Sequence, residues 1–434
     1  MLTGLWPTAH GVIEDDRSLA PDAPWMPERL QAAGWRTAAF VSTVYVSAAY
    51  GFARGFDRYE DYGITERDNL KHPVRLDRIV DDAVTHVKSV GADAPVFLFV
   101  HTYDVHYPYR CPAPYETRFD RAGTPQSTQY RTYQHYQKRP LSDEQLAHQI
   151  AQYDECIAYV DAQLARLHAA FEDSGRTAWW VVTADHGEEL GERGSWGHAH
   201  TLNREALHVP LVVSGPALAP AVRSERVGTI DVAATLAGIA GIGAVAGGGV
   251  DLRGAVPERP FVGETARFDS ARLSWEDGDR KLDLDLAHRD TRLYDTQADP
   301  DEKLDRAAAE PERVAALQRA LLGFVGAPWL LDPGVTVSSD GTFWRDEALT
   351  GSRVSNDGAS PVHLGLWPPD ADVRATRAGT GDATVGAGAA QAAGATDAAP
   401  ALRFDGARLD APVTLSDATR QQLEALGYVQ EGAP

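Results

Sequence analysis

Short, largely apolar runs alternate with longer helical patterns over the first half of the chain. In each run apolar residues occupy successive positions rather than alternate ones, which is typical of strands that are covered on both faces of a sheet. The pattern therefore predicts four buried strands. They cover residues 36–41, 95–100, 178–183 and 209–213.

The clearest helical pattern lies between the second and third runs. Ser142 has a hydroxyl that can cap a helix, and Gln145 completes a capping box, so the helix is predicted to begin there. Gly175 predicts its end, because glycine readily adopts the conformation that stops a helix. Its apolar stripe, at helical spacing, consists of Ile150, Tyr153, Ile157, Val160, Leu164 and Leu167.

Strands that alternate with helices predict an α/β fold, with a mostly parallel mixed sheet sandwiched by helices. Ligands of such sheets bind at the carboxyl ends of the strands. We expect this domain to cover residues 1–260, followed by a small C-terminal α+β subdomain over 261–330. Residues 331–434 are expected to form an irregular tail. In that tail, the Ala- and Gly-rich stretch 378–400 predicts a flexible linker and 416–429 a last short helix.

Composition and charge narrow the classes of function. With 434 residues, 43% hydrophobic and 24% charged, the chain is globular, which excludes a mainly disordered, collagenous or coiled-coil protein. It carries 41 Lys and Arg against 62 Asp and Glu, a net charge of −21. Long-range repulsion therefore argues against nucleic acid as the main partner, and an anionic substrate would need a local cationic pocket.

Neither the cysteines nor the apolar segments indicate a compartment. Cys111 and Cys156 are too few for a disulfide framework and have no zinc-type spacing. The longest uncharged stretch, 232–250, contains six glycines and is interpreted as a buried helix that runs into a loop, so no transmembrane segment is predicted. The first residues lack the basic and apolar regions of a signal peptide. Localisation stays unknown, with a periplasmic or exported location open.

Histidines are concentrated directly after two of the predicted strands. The first cluster also contains Asp104, and the second begins with Asp185 and His186, followed by Gly187. A carboxylate and an imidazole at a strand exit are oxygen and nitrogen ligands suited to a divalent metal, and glycine lets the backbone turn away from them. Six of the fourteen histidines belong to these clusters: His101, His106, His186, His198, His200 and His208.

Each candidate also has a structural interpretation. Asp185 and His186 could form a hydrogen-bonded pair, but their position at a strand exit favours metal ligation. His106 and His198 lie beside acids and are predicted to be functional, whereas the role of His101 depends on the strand's pleat. The other candidates are predicted to be structural or solvated: His200 and His208, the acidic loop of Glu188, Glu189 and Glu192, in which Glu188 could instead orient a ligand, and Cys111.

The sequence of the second cluster resembles a known family. Residues 183–188 read Thr-Ala-Asp-His-Gly-Glu, followed by Gly-Glu-Arg-Gly at 191–194 and by Gly197-His198. This is similar to the metal-ligand strand of the sulfatase family, in the alkaline phosphatase superfamily. Further segments resemble that family in the same order along about residues 1–325: 1–12, 51–57, 104–109, 230–236 and 293–300, with 423–429 similar to the ending of many bacterial members.

The resemblance implies a metal site and catalytic residues. In the family, a divalent cation is held by two acids on the first strand together with an Asp and an Asn or His, and a covalent nucleophile lies on it. Asp185 and His186 match the second pair, which implies one divalent ion, calcium by resemblance, with manganese, magnesium or zinc open. His106 and His198 would stabilise the ester oxygens or protonate the leaving group. The first acids and the nucleophile would precede Met1, so we expect an N-terminally incomplete, inactive chain.

One departure bears on the substrate. Formylglycine-type sulfatases usually carry Gly-Lys-Trp-His-Leu-Gly after the strand that matches 36–41, but residues 40–46 here contain neither Lys nor His. The resemblance implies hydrolysis of a small-molecule or glycan sulfate ester, and a phosphate- or phosphonate-ester hydrolase with a Ser or Thr nucleophile is an alternative. A non-catalytic fragment is another. A two-metal phosphodiesterase, with Asp104, His106 and His198 on a second ion, is a third.

Overall fold

The structure is a computed structural model. Up to residue 326 it describes residues 1–13, 17–62, 74–119, 141–245, 247–267 and 270–326. Beyond them it describes 329–331, 335–345, 348–358, 362–367, 373–377, 381–385, 402–404 and 410–412.

Within these residues the structure has helices, strands and three short 3₁₀ turns. The helices are α1 (Pro7–His10), α2 (Met26–Ala32), α3 (Leu76–Ser89), α4 (Asp143–Asp173), α5 (Arg204–Leu207), α6 (Asp231–Ala240) and α7 (Pro311–Val325). The 3₁₀ turns are Val44–Val46, Ala48–Tyr50 and Glu192–Gly194. The strands up to residue 326 are β1 (Arg17–Leu19), β2 (Arg36–Phe40), β3 (Arg58–Glu60), β4 (Val96–Val100), β5 (Trp180–Thr183), β6 (Glu189–Leu190), β7 (Trp196–Gly197), β8 (Leu211–Ser214), β9 (Phe261–Thr265), β10 (Arg272–Asp277), β11 (Arg280–Asp285) and β12 (Asp290–Asp295). Those beyond it are β13 (Trp329–Leu331), β14 (Val335–Arg345), β15 (Ala348–Ser355), β16 (Val362–Trp367), β17 (Val373–Arg377), β18 (Gly381–Val385), β19 (Leu402–Phe404) and β20 (Asp410–Pro412).

A parallel sheet and the helices on its two faces form the α/β part. β2 lies between β3 and β4, and the three strands run parallel. Side chains of β4 alternate between two apolar layers. Leu98 and Val100 pack on a cluster formed with α3 and α4, whereas Phe97 and Phe99 pack on α2 and α6. β5 pairs antiparallel with β8. The predicted α/β fold with a mixed sheet between helices is confirmed.

The predicted complete burial of the strands is wrong for β4 and β5. Every residue of both strands is half-buried, and Val212 on β8 is 54% exposed. In the part of the chain that the structure describes, β4 pairs with β2 alone and β5 with β8 alone. Within these residues, each strand therefore has one edge that is not hydrogen-bonded to another strand. Its side chains are covered less than those of an interior strand would be.

The long helix α4 begins where the sequence predicts and buries a different face. Ser142 caps it, with Gln145 completing the capping box. The predicted apolar stripe is wrong at Ile150 and Ile157, which are 36% and 44% exposed. The buried face contains polar residues instead, because it packs on the segment after β4, where the Phe119 amide donates to Glu155 Oε1 at 2.8 Å. The buried polar residues of the helix are Gln149, Gln152, Glu155 and Gln163.

An antiparallel sheet with one helix packed on it follows the α/β part. The strand order is β12-β11-β10-β9, and leucines of the sheet form one core with leucines of α7. Lys281 and Glu302 form an ion pair here at 2.7 Å, with side chains 2% and 3% exposed. Lys281 also donates to the backbone oxygen of Leu202, so this buried pair joins the antiparallel sheet to the loop that follows β7.

Strands occupy much of the region where the sequence predicts an irregular tail. β13, β14 and β16 to β19 form one sheet, and β15 pairs with β14. β18 lies within 378–400, so this part of the predicted linker is a strand, because its backbone pairs with β17 from Gly381 to Val385. The rest of 378–400 and the predicted helix 416–429 lie outside the described residues. Across the described part of the chain, no helix has the length and apolar character needed to cross a membrane.

Candidate active site

The two histidine clusters meet at the carboxyl ends of β4 and β5. The rings of His186 and His198 stack with centroids 3.8 Å apart, and the His106 ring stands edge-on to His198 at 5.1 Å. His106 is 6.5 Å from His186. Segments about 80 residues apart along the chain thus form one group of three imidazoles.

The backbone turn after β5 directs Asp185 and His186 toward this group. Gly187 makes the turn possible, since a Cβ there would lie 1.9 Å from the Glu205 carbonyl oxygen. His186 Nδ1 lies 2.8 Å from the Gly187 carbonyl oxygen, which assigns the ring proton to Nδ1 and leaves the lone pair on Nε2. That Nε2 is 3.7 Å from Asp185 Oδ2. The two side chains are 37% and 68% exposed, so they do not point into packed hydrocarbon.

Asp185 is held in its charged form. Burial raises the pKa of the Asp185 carboxyl. That effect is outweighed by the neighbouring His186 and His101 and by backbone hydrogen bonds, so the pKa lies below its ordinary value. A charged carboxylate beside an imidazole lone pair is a suitable pair of donors for a divalent cation.

His198 is paired with a buried acid. Its Nδ1 lies 3.0 Å from Glu188 Oε1, and the Glu188 side chain is 6% exposed. Burial lowers the pKa of His198, although Glu188 opposes that shift. This carboxylate fixes the tautomer of His198 in the way that acidic partners orient catalytic histidines. The solvated loop predicted for Glu188 is therefore wrong, and its alternative role of orienting another group fits the geometry.

His106 has two polar neighbours, and burial keeps its ring neutral. Its Nδ1 lies 2.6 Å from the Tyr107 carbonyl oxygen, and the Tyr103 hydroxyl lies 2.9 Å from Nε2. Burial, with the nearby His198, lowers the pKa of His106 to about 3. Tyr103 was not predicted as a functional residue, although it lies three positions before His106 in the first cluster.

Glu189 organises the loop between β6 and α5. Its side chain is fully buried, contrary to the predicted solvated loop. It accepts hydrogen bonds from Thr201 Oγ1 at 2.9 Å and Asn203 Nδ2 at 2.7 Å, and its Oε2 lies 3.2 Å from His200 Nε2. His200 Nδ1 in turn lies 2.9 Å from the His198 carbonyl oxygen. Glu189 and His200 therefore support the backbone that carries His198.

The remaining candidates lie at the edge of the group or outside it. His101 is adjacent to Asp185, and burial lowers its pKa. Asp104 accepts from the Leu76 amide at 2.8 Å and Thr102 Oγ1 at 2.6 Å, so it caps the start of α3. Exposed Glu192 accepts from the Leu190 amide, and His208 contacts Arg204 at 3.4 Å.

A cation that the sequence analysis missed reaches this edge from the antiparallel sheet. The Arg267 guanidinium lies over the Tyr45 ring, 5.5 Å from its centroid, and donates to the Tyr45 hydroxyl. Tyr45 belongs to the turn that follows β2. Thr265 and Ser270, on either side of Arg267, donate to the carbonyl oxygens of Ala199 and His200. Arg267 and Tyr45 are 222 positions apart, so no local sequence signal links them.

No group of three metal-binding side chains occurs within the described residues. Asp185 and His186 supply two donors, and a divalent cation is usually held by four or more ligands. Any metal at this position therefore needs ligands beyond these two.

The chain matches a family model described as Sulfatase over residues 1–242. It is similar to an uncharacterized sulfatase, YidJ, of Escherichia coli (strain K12), with 27% identity over 251 residues, or 52% of this chain and 50% of the relative. The chain thus spans about half the length of this curated relative.

Solved structures share the fold. The phosphonate monoester hydrolase SpPMH from Silicibacter pomeroyi matches with a TM-score of 0.60 and 20% identity, over 74% of this chain and 84% of that chain. A protein solved in complex with its substrate D-glucosamine-2-N,6-O-disulfate matches with a TM-score of 0.55 and 18% identity, over 74% and 85%. At these identities the likeness concerns the fold alone.

Proposed function

Because the chain belongs to the sulfatase family, we propose that it is a metal-dependent hydrolase of sulfate esters that acts through a covalent intermediate. The observation that carries this proposal is the convergence of Asp185, His186, His106 and His198 at one edge of the sheet. An acid–imidazole pair next to two further imidazoles offers both metal donors and groups that can act on an ester.

Asp185 and His186 would hold the divalent ion, and the remaining ligands and the nucleophile would come from other residues. When bound, the ion would lower the nucleophile's pKa and neutralise charge on the ester oxygens. The family resemblance favours calcium, whereas a nitrogen donor such as His186 is better matched to manganese or zinc. The identity of the ion is therefore a question for experiment.

The histidines would act on the ester oxygens. His198, oriented by Glu188, would hold or transfer the proton of the leaving group from the ring nitrogen opposite Glu188. His106, beside the Tyr103 hydroxyl, would stabilise the equatorial oxygens, which requires a proton on Nε2 in addition to the one that Nδ1 donates to the Tyr107 carbonyl oxygen. Arg267 would supply the positive charge that an anionic substrate requires near a chain of net charge −21.

A second candidate is hydrolysis of phosphate or phosphonate esters. It is supported by the absence of Lys and His from residues 40–46 and by the phosphonate monoester hydrolase among the similar structures. A two-metal phosphodiesterase has less support, because Asp104 is already engaged with Leu76 and Thr102. A non-catalytic fragment is the third candidate, and it predicts no turnover in any form of the chain.

The test compares this chain with the same chain preceded by any in-frame residues encoded upstream of Met1. Both are stripped of metal, reloaded with Mn²⁺, Zn²⁺ or Ca²⁺, and assayed on 4-nitrophenyl sulfate, 4-nitrophenyl phosphate and a phenylphosphonate monoester. We expect turnover of the sulfate ester by the extended chain alone. Faster turnover of a phosphorus ester would favour the second candidate, and no turnover would favour the third.

Variants of the extended chain test the roles of the residues. Asp185→Asn and His186→Ala are expected to abolish both metal content and turnover, whereas His106→Ala lowers turnover with metal retained. Arg267→Ala is expected to raise KM for the anionic ester, with exposed Arg313→Ala as the matched control. Wild-type turnover in either metal-ligand variant would contradict the proposed site.

A further inference from the structure

The two cysteines of the chain lie side by side in the core. Cys111 is 7% exposed and Cys156 is fully buried, and both belong to one apolar cluster with Tyr109 and Tyr159. The two thiols are joined by a hydrogen bond between their side chains. A buried residue touches about 6–12 others. If the second cysteine were placed at random in this chain, it would therefore lie beside Cys156 at roughly one position in forty.

The pair connects two parts of the molecule that carry the candidate site. Cys111 lies on the segment after β4, five residues beyond His106. Cys156 lies on α4, close to Tyr153, whose ring packs edge-on to Tyr109 with centroids 5.2 Å apart. Neither cysteine lies on a strand, so a covalent bond between the sulfur atoms would fix the His106 segment directly to α4.

We propose that Cys111 and Cys156 form an intramolecular disulfide that fixes the segment carrying His106 to helix α4. Both side chains lie in one cluster and interact with each other, so a disulfide would join neighbouring side chains. Both thiols are free in the structure, which is therefore the reduced form of the pair. The disulfide does not depend on the proposed hydrolase activity.

The chemistry requires an oxidant of the small-disulfide class, such as oxidised glutathione. The Cys111 thiolate attacks one sulfur of the small disulfide and releases a thiolate. Cys156 then gives up its proton and attacks the Cys111 sulfur of the mixed disulfide, which releases the second thiol. The protein loses two hydrogen atoms and the small disulfide gains them.

The order of attack follows from the surroundings of the two thiols. Cys111 is the less buried of the two, so the oxidant reaches it first. The hydrogen bond from Cys156 lowers the pKa of the Cys111 thiol, while that hydrogen bond and burial raise the pKa of Cys156. A thiolate is the attacking species, so Cys111 is suited to react first and Cys156 to complete the bond.

The experiment uses the folded 434-residue chain. It is incubated with oxidised or reduced glutathione, free thiols are then blocked with iodoacetamide in denaturant, and peptides are mapped by mass spectrometry. We expect the oxidised sample to yield a linked peptide that contains Cys111 and Cys156, a fall from two free thiols to none, and reversal by dithiothreitol. Thiols that stay free, single glutathione adducts or disulfide-linked dimers would overturn the proposal.

Single variants and thermal unfolding complete the test. Cys111→Ser and Cys156→Ser each lack one partner of the pair. We expect more glutathione adduct on the remaining Cys111 of Cys156→Ser than on the remaining Cys156 of Cys111→Ser. The oxidised wild-type chain is expected to melt several degrees above the reduced one, because the bond restricts the unfolded chain. The Cys111→Ser/Cys156→Ser double variant should show no such difference. Equal melting temperatures of the oxidised and reduced wild type would overturn the proposed fixing of the segment.

Discussion

The pKa values of Glu189 and Glu264 are shifted in opposite directions, although burial raises both. Glu189, in the loop that supports His198, has its pKa lowered to about 2, because hydrogen bonds from His200, Asn203 and other donors outweigh the effect of burial. Glu264, on β9, has its pKa raised to about 7, because burial outweighs the hydrogen bonds that Thr8 donates. The difference teaches that the number of donors around a buried acid decides whether it carries charge.

Each glutamate also has a different structural role. Glu189 sits among donors that all belong to one loop, so its charge organises that loop. Glu264 Oε2 accepts from both the amide and the hydroxyl of Thr8, and thereby joins β9 to α1. Its Oε1 is buried without a hydrogen-bond partner in the described part of the chain. The neutral acid therefore suits this site better than the carboxylate does.

The largest effect is expected for removal of the charged glutamate. Glu189→Ala leaves buried His200 and half-buried Thr201 and Asn203 without this acceptor, and should lower the free energy of unfolding by about 3–5 kcal/mol. Urea unfolding at pH 7 measures it. The exposed neighbour Glu192→Ala is the matched control and should stay within about 0.5 kcal/mol of wild type. A loss from Glu189→Ala no larger than the control's would contradict the role assigned to Glu189.

The pH dependence of stability should also distinguish the two acids. Glu189 has a depressed pKa in the folded chain, so its stabilisation is present above its ordinary value of 4.5 and is lost as the pH falls toward 2. Glu264 has a raised pKa, so stability due to it is highest below 4.5 and is lost as the pH rises through 7.

Glu264→Gln tests the second half of that statement. Because glutamine mimics the neutral acid, the variant should match wild type near pH 4.5 and exceed its free energy of unfolding by about 3 kcal/mol at pH 8. Urea unfolding across this range checks the prediction. The exposed Glu258→Gln should show no such pH-dependent difference in the free energy of unfolding. Parallel pH profiles of wild type and Glu264→Gln would show that Glu264 is not the responsible group.

The smallest effect is expected for the acid that acts on a histidine rather than on the fold. Glu188→Gln keeps the size of the side chain but removes the charge beside His198 Nδ1. In an active extended chain kcat should fall about 10- to 100-fold, as for other partners that orient a functional histidine, with little change in the urea midpoint. Glu192→Gln serves as the control. A shifted midpoint with unchanged kcat would make Glu188 a structural residue.

Local signals made part of this structure predictable. The capping box at Ser142 marks the start of α4, and the strand followed by Asp185, His186 and Gly187 marks the candidate site. Both depend on residues that are close together along the chain. The α/β fold follows from the alternation of apolar runs and helical patterns.

Features that depend on distant partners could not be predicted. Ile150 is exposed because α4 buries a polar face, on which Glu155 accepts from the Phe119 amide, and nothing in the helix's own periodicity specifies that partner. The donors that surround Glu189 follow it by up to 14 positions. The acidic run that contains Glu189 therefore resembles a solvated loop when its own sequence is considered alone. The pairing of Arg267 with Tyr45 has no local signal of any kind.

The tight turn at Gly187 has a consequence for protein engineering. Its amide donates to the Ala206 carbonyl oxygen at 2.8 Å, and the space where a side chain would begin is filled by the Glu205 backbone. A designer who transplants the Asp185–His186 dipeptide into another scaffold must therefore carry α5 with it. Grafted by itself, the dipeptide would lose the backbone that sets the direction of its two donors.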